Sequence, residues 1–232
     1  MTAGTSAGNF ALICDCDGVL IDSEAVAASM LVHELEARWP GADIEPVVLP
    51  LLGLRIEKVL EGTAMQLGKS LGLDDIDAIR RSVEAAAMQA PAVQGIEQAL
   101  AQVPLVKGCA SNSFRPYVET VLARTGLVRF SATVFCADSV TNPKPAPDVY
   151  LAAAKGLRLA PSACLVVEDS VTGVTAASAA GMTVLGFIGG GHASDAQIDK
   201  LHAAGARHVF DDMRQLPELV AQWTLSATAA AP

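Results

Sequence analysis

The sequence lacks the long apolar run that a membrane-spanning helix needs, although 51% of its 232 residues are hydrophobic. No stretch reaches the roughly 18 successive apolar residues expected of such a helix. The opening residues MTAGTSAGNF carry neither the basic segment nor the apolar stretch of a secretory leader. These absences predict a protein that stays in the cytoplasm and has no membrane partner.

Clusters of basic residues are also missing. The 16 Lys and Arg residues are scattered among 25 Asp and Glu residues, and the formal net charge is -9. Nucleic acids and anionic membranes are bound mainly by basic side chains that neutralise phosphates. The composition therefore argues against both partners, whereas a small phosphate can still bind where the charge is reversed locally.

Cysteine occurs in a number and spacing that exclude a closed disulfide framework. There are five cysteines, and an odd number cannot close in pairs. Cys14 and Cys16 are separated by one residue, whereas structural zinc ligands usually have a longer spacer and a second ligand pair. We therefore expect reduced thiols that are buried as small hydrophobic residues.

From about residue 95 onward, short apolar runs alternate with helical segments. The apolar runs predict strands at 103–110, 133–136, 163–167, 183–187 and 208–210, and one more at 10–14. The segments between them predict helices at 116–127, 146–155, 170–180, 195–204 and 213–223, two of them closed by Gly156 and Gly181. This alternation predicts an α/β fold with a Rossmann-like parallel sheet covered by helices on both faces.

An inserted domain is predicted between the first two strands. About 90 residues separate them, whereas a βαβ unit takes roughly 30. Two helices are indicated there, one by apolar residues at helical spacing and one that Asp74 or Asp75 can cap. The apolar positions are Ile56, Val59, Leu60, Ala64 and Leu67 in the first, and Ile76, Ile79 and Val83 in the second. We predict a small helical domain at 24–91, inserted into a core formed by 1–23 and 92–232.

Two carboxylates and a glycine follow the first predicted strand, in the order Asp15, Cys16, Asp17, Gly18 and Val19. Ligands of open parallel sheets bind beyond the carboxyl ends of the strands, where these residues are expected to lie. Aspartates before glycine are also common in turns that have no function beyond chain reversal. The motif alone leaves both interpretations open.

Further polar groups follow the later strands: Ser111, Asn112 and Ser113, then Lys144, then Glu168, Asp169 and Ser170. Each has a structural alternative. Ser113 could cap a helix, Lys144 could be solvated, and the acidic pair could face a helix N-terminus. One shared site explains all of these positions together, whereas the alternatives require a separate coincidence at each strand end.

In this order the residues resemble the four motifs of the haloacid dehalogenase superfamily, and the match spans nearly the entire chain. That family has a DxDG motif, a small hydroxyl residue after the second strand, a lysine and an acidic pair on a later strand. The resemblance identifies the insert as a helical cap, as in the subfamily of β-phosphoglucomutase and many sugar-phosphate phosphatases. It implies an enzyme that hydrolyses a small phosphate monoester.

The resemblance also implies a role for each matched residue. Asp15 would attack phosphorus and become an aspartyl phosphate, while Asp17 would protonate the leaving alkoxide and later activate water. Lys144 would add a positive charge beside the nucleophile and the phosphoryl group. The groups expected to hold the transferring oxygens are Ser111 and the backbone N–H groups near Gly18, Val19 and Asn112.

A divalent cation is predicted from the charges of this site, because four carboxylates face one ammonium group and would repel an anionic ester. Oxygen ligands favour Mg²⁺. The expected ligands are Asp15, the backbone carbonyl of Asp17 and Asp169. By resemblance, Glu168 completes the metal site by orienting a water.

Asp17 also separates reaction types within the family, because the expulsion of a halide needs no proton on the leaving group. A dehalogenase is therefore disfavoured, as is a phosphonate hydrolase, whose branch lacks an aspartate at this position. Related mutases carry a histidine shortly after the first motif, and 23–28 has none. A phosphosugar mutase and a low-turnover phosphometabolite-binding protein remain the alternatives.

Specificity is expected to come from the cap. Arg55 is a candidate for contact with an anionic or polyol part of the substrate, although it could equally be a solvated residue at the start of a helix. Sugar phosphates and phosphorylated sugar acids both remain open as substrates. The sequence makes no prediction about the oligomeric state.

Overall fold

The structure, a computed structural model, describes residues 10–52, 56–189 and 195–229. Its strands are β1 (Ala11–Cys14), β2 (Val106–Ala110), β3 (Thr133–Phe135), β4 (Cys164–Glu168), β5 (Thr183–Phe187) and β6 (His208–Phe210). Its α-helices are α1 (Ser23–Arg38), α2 (Glu45–Val48), α3 (Ile56–Gln66), α4 (Leu73–Ala87), α5 (Ile96–Gln102), α6 (Arg115–Arg124), α7 (Asp148–Leu157), α8 (Val171–Ala179), α9 (Asp195–Ala204) and α10 (Leu216–Ala229). Among the described helices, none has the length and apolar character required to span a membrane.

The strands form one parallel sheet in the order β3-β2-β1-β4-β5-β6, which confirms the predicted α/β fold. All four residues of β1 are buried. Ala11 and Ile13 pack into a core that includes residues of α7 and α8. Leu12 and Cys14 alternate with them on the opposite face and are equally buried. Burial on both faces explains why β1 is a continuous apolar run.

The strand order reverses at β1, because β2 pairs with one of its edges and β4 with the other. In such sheets the connections from neighbouring strands run in opposite directions at this point and leave a crevice beyond the carboxyl ends. Asp15, Ser111 and Glu168 stand at the ends of these three strands. The topology therefore brings together three positions that are far apart in the chain.

One of the two predicted helix-closing glycines has a different part in the structure. Gly156 lies inside α7, which ends at Leu157, and Arg158 takes the left-handed conformation with φ 60°. A Cβ at Gly156 would lie 2.6 Å from the Phe135 ring, so glycine is needed there for packing against β3. Gly181, with φ 79°, follows α8 as predicted.

The chain divides into two compact units, Met1–Ile21 with Pro91–Pro232, and Asp22–Ala90. The second corresponds to the insert predicted at 24–91. Within the first, Ile21 forms an antiparallel bridge with Ala92, and the Val93 N–H donates to the Leu20 carbonyl at 3.0 Å. The two places where the chain passes between the units are therefore paired side by side.

The unit Asp22–Ala90 is helical and has its own apolar core. Leu31 and Leu35 of α1 pack there with Val59 and Leu60 of α3 and with Ile79 of α4. The predicted helices around these positions are confirmed. The expected N-cap of the second helix is not, because the helix begins at Leu73 and places both aspartates in its first turn. Asp75 instead accepts a hydrogen bond from the Gly72 N–H at 3.2 Å.

Candidate active site

The turn after β1 presents Asp15 at the edge of the sheet. Its N–H donates to the Val167 carbonyl at 3.0 Å, which continues the pairing of β1 with β4 for one more residue. The N–H groups of Leu20 and Ile21 both donate to the Cys16 carbonyl at 2.9 Å and close the turn. Asp15 is thus held by backbone geometry, and the residue is only 7% exposed.

Gly18 contributes to the site through the absence of a side chain. It has φ 75°, and a Cβ at this position would lie 1.8 Å from Asp169 Oδ2. The predicted use of its N–H for substrate oxygens is not supported, because this N–H donates to the Ile21 carbonyl at 2.8 Å. The side chain of Val19 is fully buried, and the use of its N–H remains a prediction.

Lys144 joins two of the predicted acidic residues. Its Nζ donates to Asp15 Oδ1 at 2.5 Å, to Glu168 Oε1 at 2.6 Å and to the Ala110 carbonyl at 2.9 Å. The lysine is 6% exposed, so that its positive charge is buried between two carboxylates. The alternative of a solvated loop lysine is therefore wrong.

Asn112 holds the backbone of Lys144 in place. Its Oδ1 accepts from the Lys144 N–H at 2.8 Å, and its Nδ2 donates to the Lys144 carbonyl at 3.1 Å. The side chain therefore positions the lysine, whereas the predicted contact of its backbone with substrate remains a prediction. Ser111 is buried beside it, and its Oγ accepts from the Ser113 N–H at 3.0 Å.

Glu168 is buried and accepts four hydrogen bonds. Its Oε1 accepts from Lys144 and from the Tyr150 hydroxyl at 2.9 Å, and its Oε2 accepts from the N–H and Oγ of Ser170 at 3.1 and 3.0 Å. A Cβ at Gly173, in the first turn of α8, would lie 1.6 Å from Oε1. Glu168 therefore lies against the N-terminus of α8, where the helix dipole favours its negative charge.

Asp15, Glu168 and Asp169 form a cluster that fits a divalent cation. Each offers one carboxylate oxygen, and these oxygens lie within 4.8 Å of one another. The set contains only oxygen ligands, which suit Mg²⁺. Since the acceptor positions of Glu168 are already used, Asp15 and Asp169 are better placed to bind such an ion directly.

The carboxylate of Asp17 does not belong to this cluster and instead binds two hydroxyl groups. Its Oδ2 accepts from the Ser113 hydroxyl and its Oδ1 from the Tyr117 hydroxyl, both at 2.7 Å. Ser113 does not cap a helix as the alternative proposed, because the N-cap of α6 is Phe114. The separation of Asp17 from the carboxylate cluster is compatible with a metal contact through its backbone carbonyl, which remains a prediction.

The buried charges shift the pKa values of the central pair. Burial raises the pKa of Asp15, and Glu168 raises it further, whereas Lys144 opposes the shift. Burial lowers the pKa of Lys144, but Asp15 and Glu168 outweigh this effect and hold it well above its ordinary value. Lys144 is therefore charged throughout the physiological range, and a cation beside Asp15 would favour its ionised form.

Both tyrosines of the chain bind acidic residues of the site, Tyr117 to Asp17 and Tyr150 to Glu168. Tyr150 also places its ring centroid 4.7 Å from the Lys144 Nζ. Sequence reasoning missed both tyrosines, because no local pattern links them to the motifs. Arg55, predicted to contact substrate, lies outside the described residues.

Comparisons with known proteins identify the family of the chain and several relatives. A profile of the haloacid dehalogenase-like hydrolase family matches residues 11–181. YhcW of Bacillus subtilis (strain 168) is 34% identical over 74% of this chain and 80% of its own length. The 6-phosphogluconate phosphatase of Escherichia coli (strain K12) is 24% identical over 90% of this chain and 93% of its own.

A solved structure shows the same fold. It is that of a haloacid dehalogenase (HAD) family hydrolase from Deinococcus radiodurans R1, with bound phosphate and sodium. It has a TM-score of 0.82 and 29% sequence identity, and the alignment covers 95% of this chain and 98% of that chain. The likeness extends over both units of the chain.

Proposed function

The chain belongs to the haloacid dehalogenase-like hydrolases, and on that premise we propose that it is a magnesium-dependent phosphatase. Its substrate is a small phosphate monoester, either a sugar phosphate or a phosphorylated sugar acid. The observation that carries the proposal is the buried Lys144 ammonium between Asp15 and Glu168, with Asp169 beside them. The relative that acts on 6-phosphogluconate and the relative that holds phosphate support this substrate class.

In the first step, a carboxylate oxygen of Asp15 attacks phosphorus and the bond to the leaving oxygen breaks. Asp17 gives a proton to the leaving alkoxide, which departs as an alcohol. Lys144, whose Nζ contacts Asp15, and the hydroxyl of Ser111, which follows β2, can stabilise the charge on the transferring oxygens.

In the second step, Asp17 takes a proton from water, and the resulting hydroxide attacks phosphorus of the aspartyl phosphate. The bond to Asp15 breaks, inorganic phosphate leaves and the carboxylate is restored. Asp15 and Asp169 would hold Mg²⁺, which would supply positive charge that offsets the repulsion between the carboxylates and the substrate.

The proposal is tested by phosphate release from a panel of sugar phosphates, phosphorylated sugar acids and other monoesters. We expect release with Mg²⁺, loss of release with a chelator, and recovery when Mg²⁺ is returned in excess. Asp15→Asn should abolish release, since an amide cannot attack phosphorus. Full activity in the chelator or in Asp15→Asn would contradict the proposal, and isomerisation without phosphate release would indicate a mutase.

A further inference from the structure

The carboxylate of Asp17 accepts hydrogen bonds from two hydroxyl groups that belong to a different part of the chain. The Ser113 Oγ donates to one carboxylate oxygen and the Tyr117 hydroxyl to the other, both at 2.7 Å. Ser113 lies in the loop after β2, and Tyr117 lies in the first turn of α6. These residues are 96 and 100 positions from Asp17, so the contact exists only in the folded chain.

Two such bonds restrain the carboxylate more than one would. A single hydrogen bond leaves the aspartate free to rotate about its terminal torsion, whereas one bond to each oxygen fixes the plane of the group. Proton transfer to a leaving group depends on this geometry, since donor and acceptor must come within hydrogen-bond distance. A carboxylate held in one orientation transfers its proton more often than one that rotates.

The same loop also carries the hydroxyl that is expected to contact the phosphoryl group. The Ser113 N–H donates to the Ser111 Oγ at 3.0 Å, while the Ser113 Oγ binds Asp17. Ser113 thus links the group that exchanges the proton to the group that contacts the transferring oxygens. A shift of this loop would move both together.

We propose that Tyr117 and Ser113 are positioning residues for proton transfer by Asp17. The inference rests on the proposed function, because it assigns to Asp17 the protonation of the leaving alkoxide. Tyr117 and Ser113 exchange no proton with the substrate. They hold the carboxylate in the orientation from which it serves both steps.

The test uses leaving groups that differ in their need for a proton. p-Nitrophenolate leaves without protonation, phenolate needs more help, and the alkoxide of 6-phosphogluconate needs most. The values of kcat/KM report substrate binding and the first chemical step, because they include no step after the leaving group departs. The measurement compares kcat/KM for p-nitrophenyl phosphate, phenyl phosphate and 6-phosphogluconate in the full-length wild-type protein and its variants, with Mg²⁺ present.

We expect Tyr117→Phe to lower kcat/KM for 6-phosphogluconate about tenfold, a part of the 10²–10⁴-fold that general acid catalysis supplies. The loss should be smaller for phenyl phosphate and less than about twofold for p-nitrophenyl phosphate. The double variant with Ser113→Ala should deepen this trend. With p-nitrophenyl phosphate it should also produce a burst of p-nitrophenolate, because slower activation of water lets the aspartyl phosphate accumulate.

Thr120→Val is the matched control, since it removes an exposed hydroxyl from α6 that donates to the Pro116 carbonyl of the same helix. It should leave all three kcat/KM values unchanged. Thermal unfolding shows whether each variant is folded, and Ser113→Ala alone carries the test if Tyr117→Phe does not fold.

Equal losses for the three substrates, or no loss for any, would overturn the positioning role while leaving the proposed function intact. Phosphate release that persists in Asp15→Asn would instead overturn the proposed function, and the positioning role with it. A loss that increases with the basicity of the leaving group supports both.

Discussion

Gly18 lies so close to Asp169 that a Cβ added to it would be 1.8 Å from Asp169 Oδ2. Gly18 belongs to the turn after β1, whereas Asp169 directly follows β4. The absence of a side chain on one strand end therefore makes room for a carboxylate on the next. This relationship places Asp169 beside Asp15, where the two can share a cation.

Gly18→Ala is expected to displace Asp169. Mg²⁺ binding and activity should each weaken by about 10–100-fold, as for other residues that position metal ligands. The φ of 75° also costs a residue with a side chain about 1–2 kcal/mol of folding free energy. Calorimetric titration with Mg²⁺ and phosphate release measure the first effect, and urea unfolding measures the second.

Gly181→Ala provides the matched control for that variant. Gly181 has a similar φ of 79°, but a Cβ there would have nothing within 4 Å. It should lose a comparable amount of stability and keep its activity and Mg²⁺ affinity. Equal losses of activity in the two variants would show that backbone strain, rather than contact with Asp169, is the cause.

Lys144→Met is expected to abolish activity and to destabilise the protein. The substitution keeps a similar volume but leaves Asp15 and Glu168 without the ammonium group that lies between them. Removal of one partner from a buried ion pair costs about 3–5 kcal/mol. Urea unfolding at neutral pH with a chelator measures the loss, and exposed Lys155→Met on α7 serves as the control. An unchanged free energy of unfolding would mean that the buried pair does not contribute to stability.

The stability of the metal-free protein should fall with rising pH because of Asp15. Burial raises the pKa of this carboxyl in the folded protein, so the folded state binds the proton more strongly than the unfolded chain does. The resulting stabilisation is complete below the unfolded pKa of about 3.9 and is lost as pH rises through the raised pKa. Wild type should therefore lose stability relative to Asp15→Asn from about pH 5 to about pH 8 in urea unfolding with a chelator.

Saturating Mg²⁺ should remove this pH dependence, since a cation favours the ionised carboxyl that binds it. Parallel stability curves for the metal-free wild type and Asp15→Asn would show that Asp15 is already ionised in the folded protein. That result would contradict the predicted effect of burial.

The predictions from sequence were most accurate where a signal lies within a few neighbouring residues. The continuous apolar run before Asp15 predicted a strand buried on both faces, and the helical spacing of Val59, Leu60 and Ala64 predicted a helix of the inserted unit. The assignment of Gly156 to a helix end was wrong. A glycine is needed at this position because the Phe135 ring, on a strand about twenty residues earlier, leaves no room for a side chain. Local sequence does not distinguish a glycine that ends a helix from one that makes room for a neighbour.

The sequence by itself determined the sheet, the insert and the acidic, hydroxyl and amine groups that follow the strands, because periodicity and strand-end position are local properties. Only the tertiary structure decided how these groups are held. Tyr117 on Asp17, Tyr150 on Glu168 and Asn112 on Lys144 are contacts between residues distant in the chain. Their partners are chosen by the order of the strands and the direction of each side chain, and these exist only once the sheet has formed.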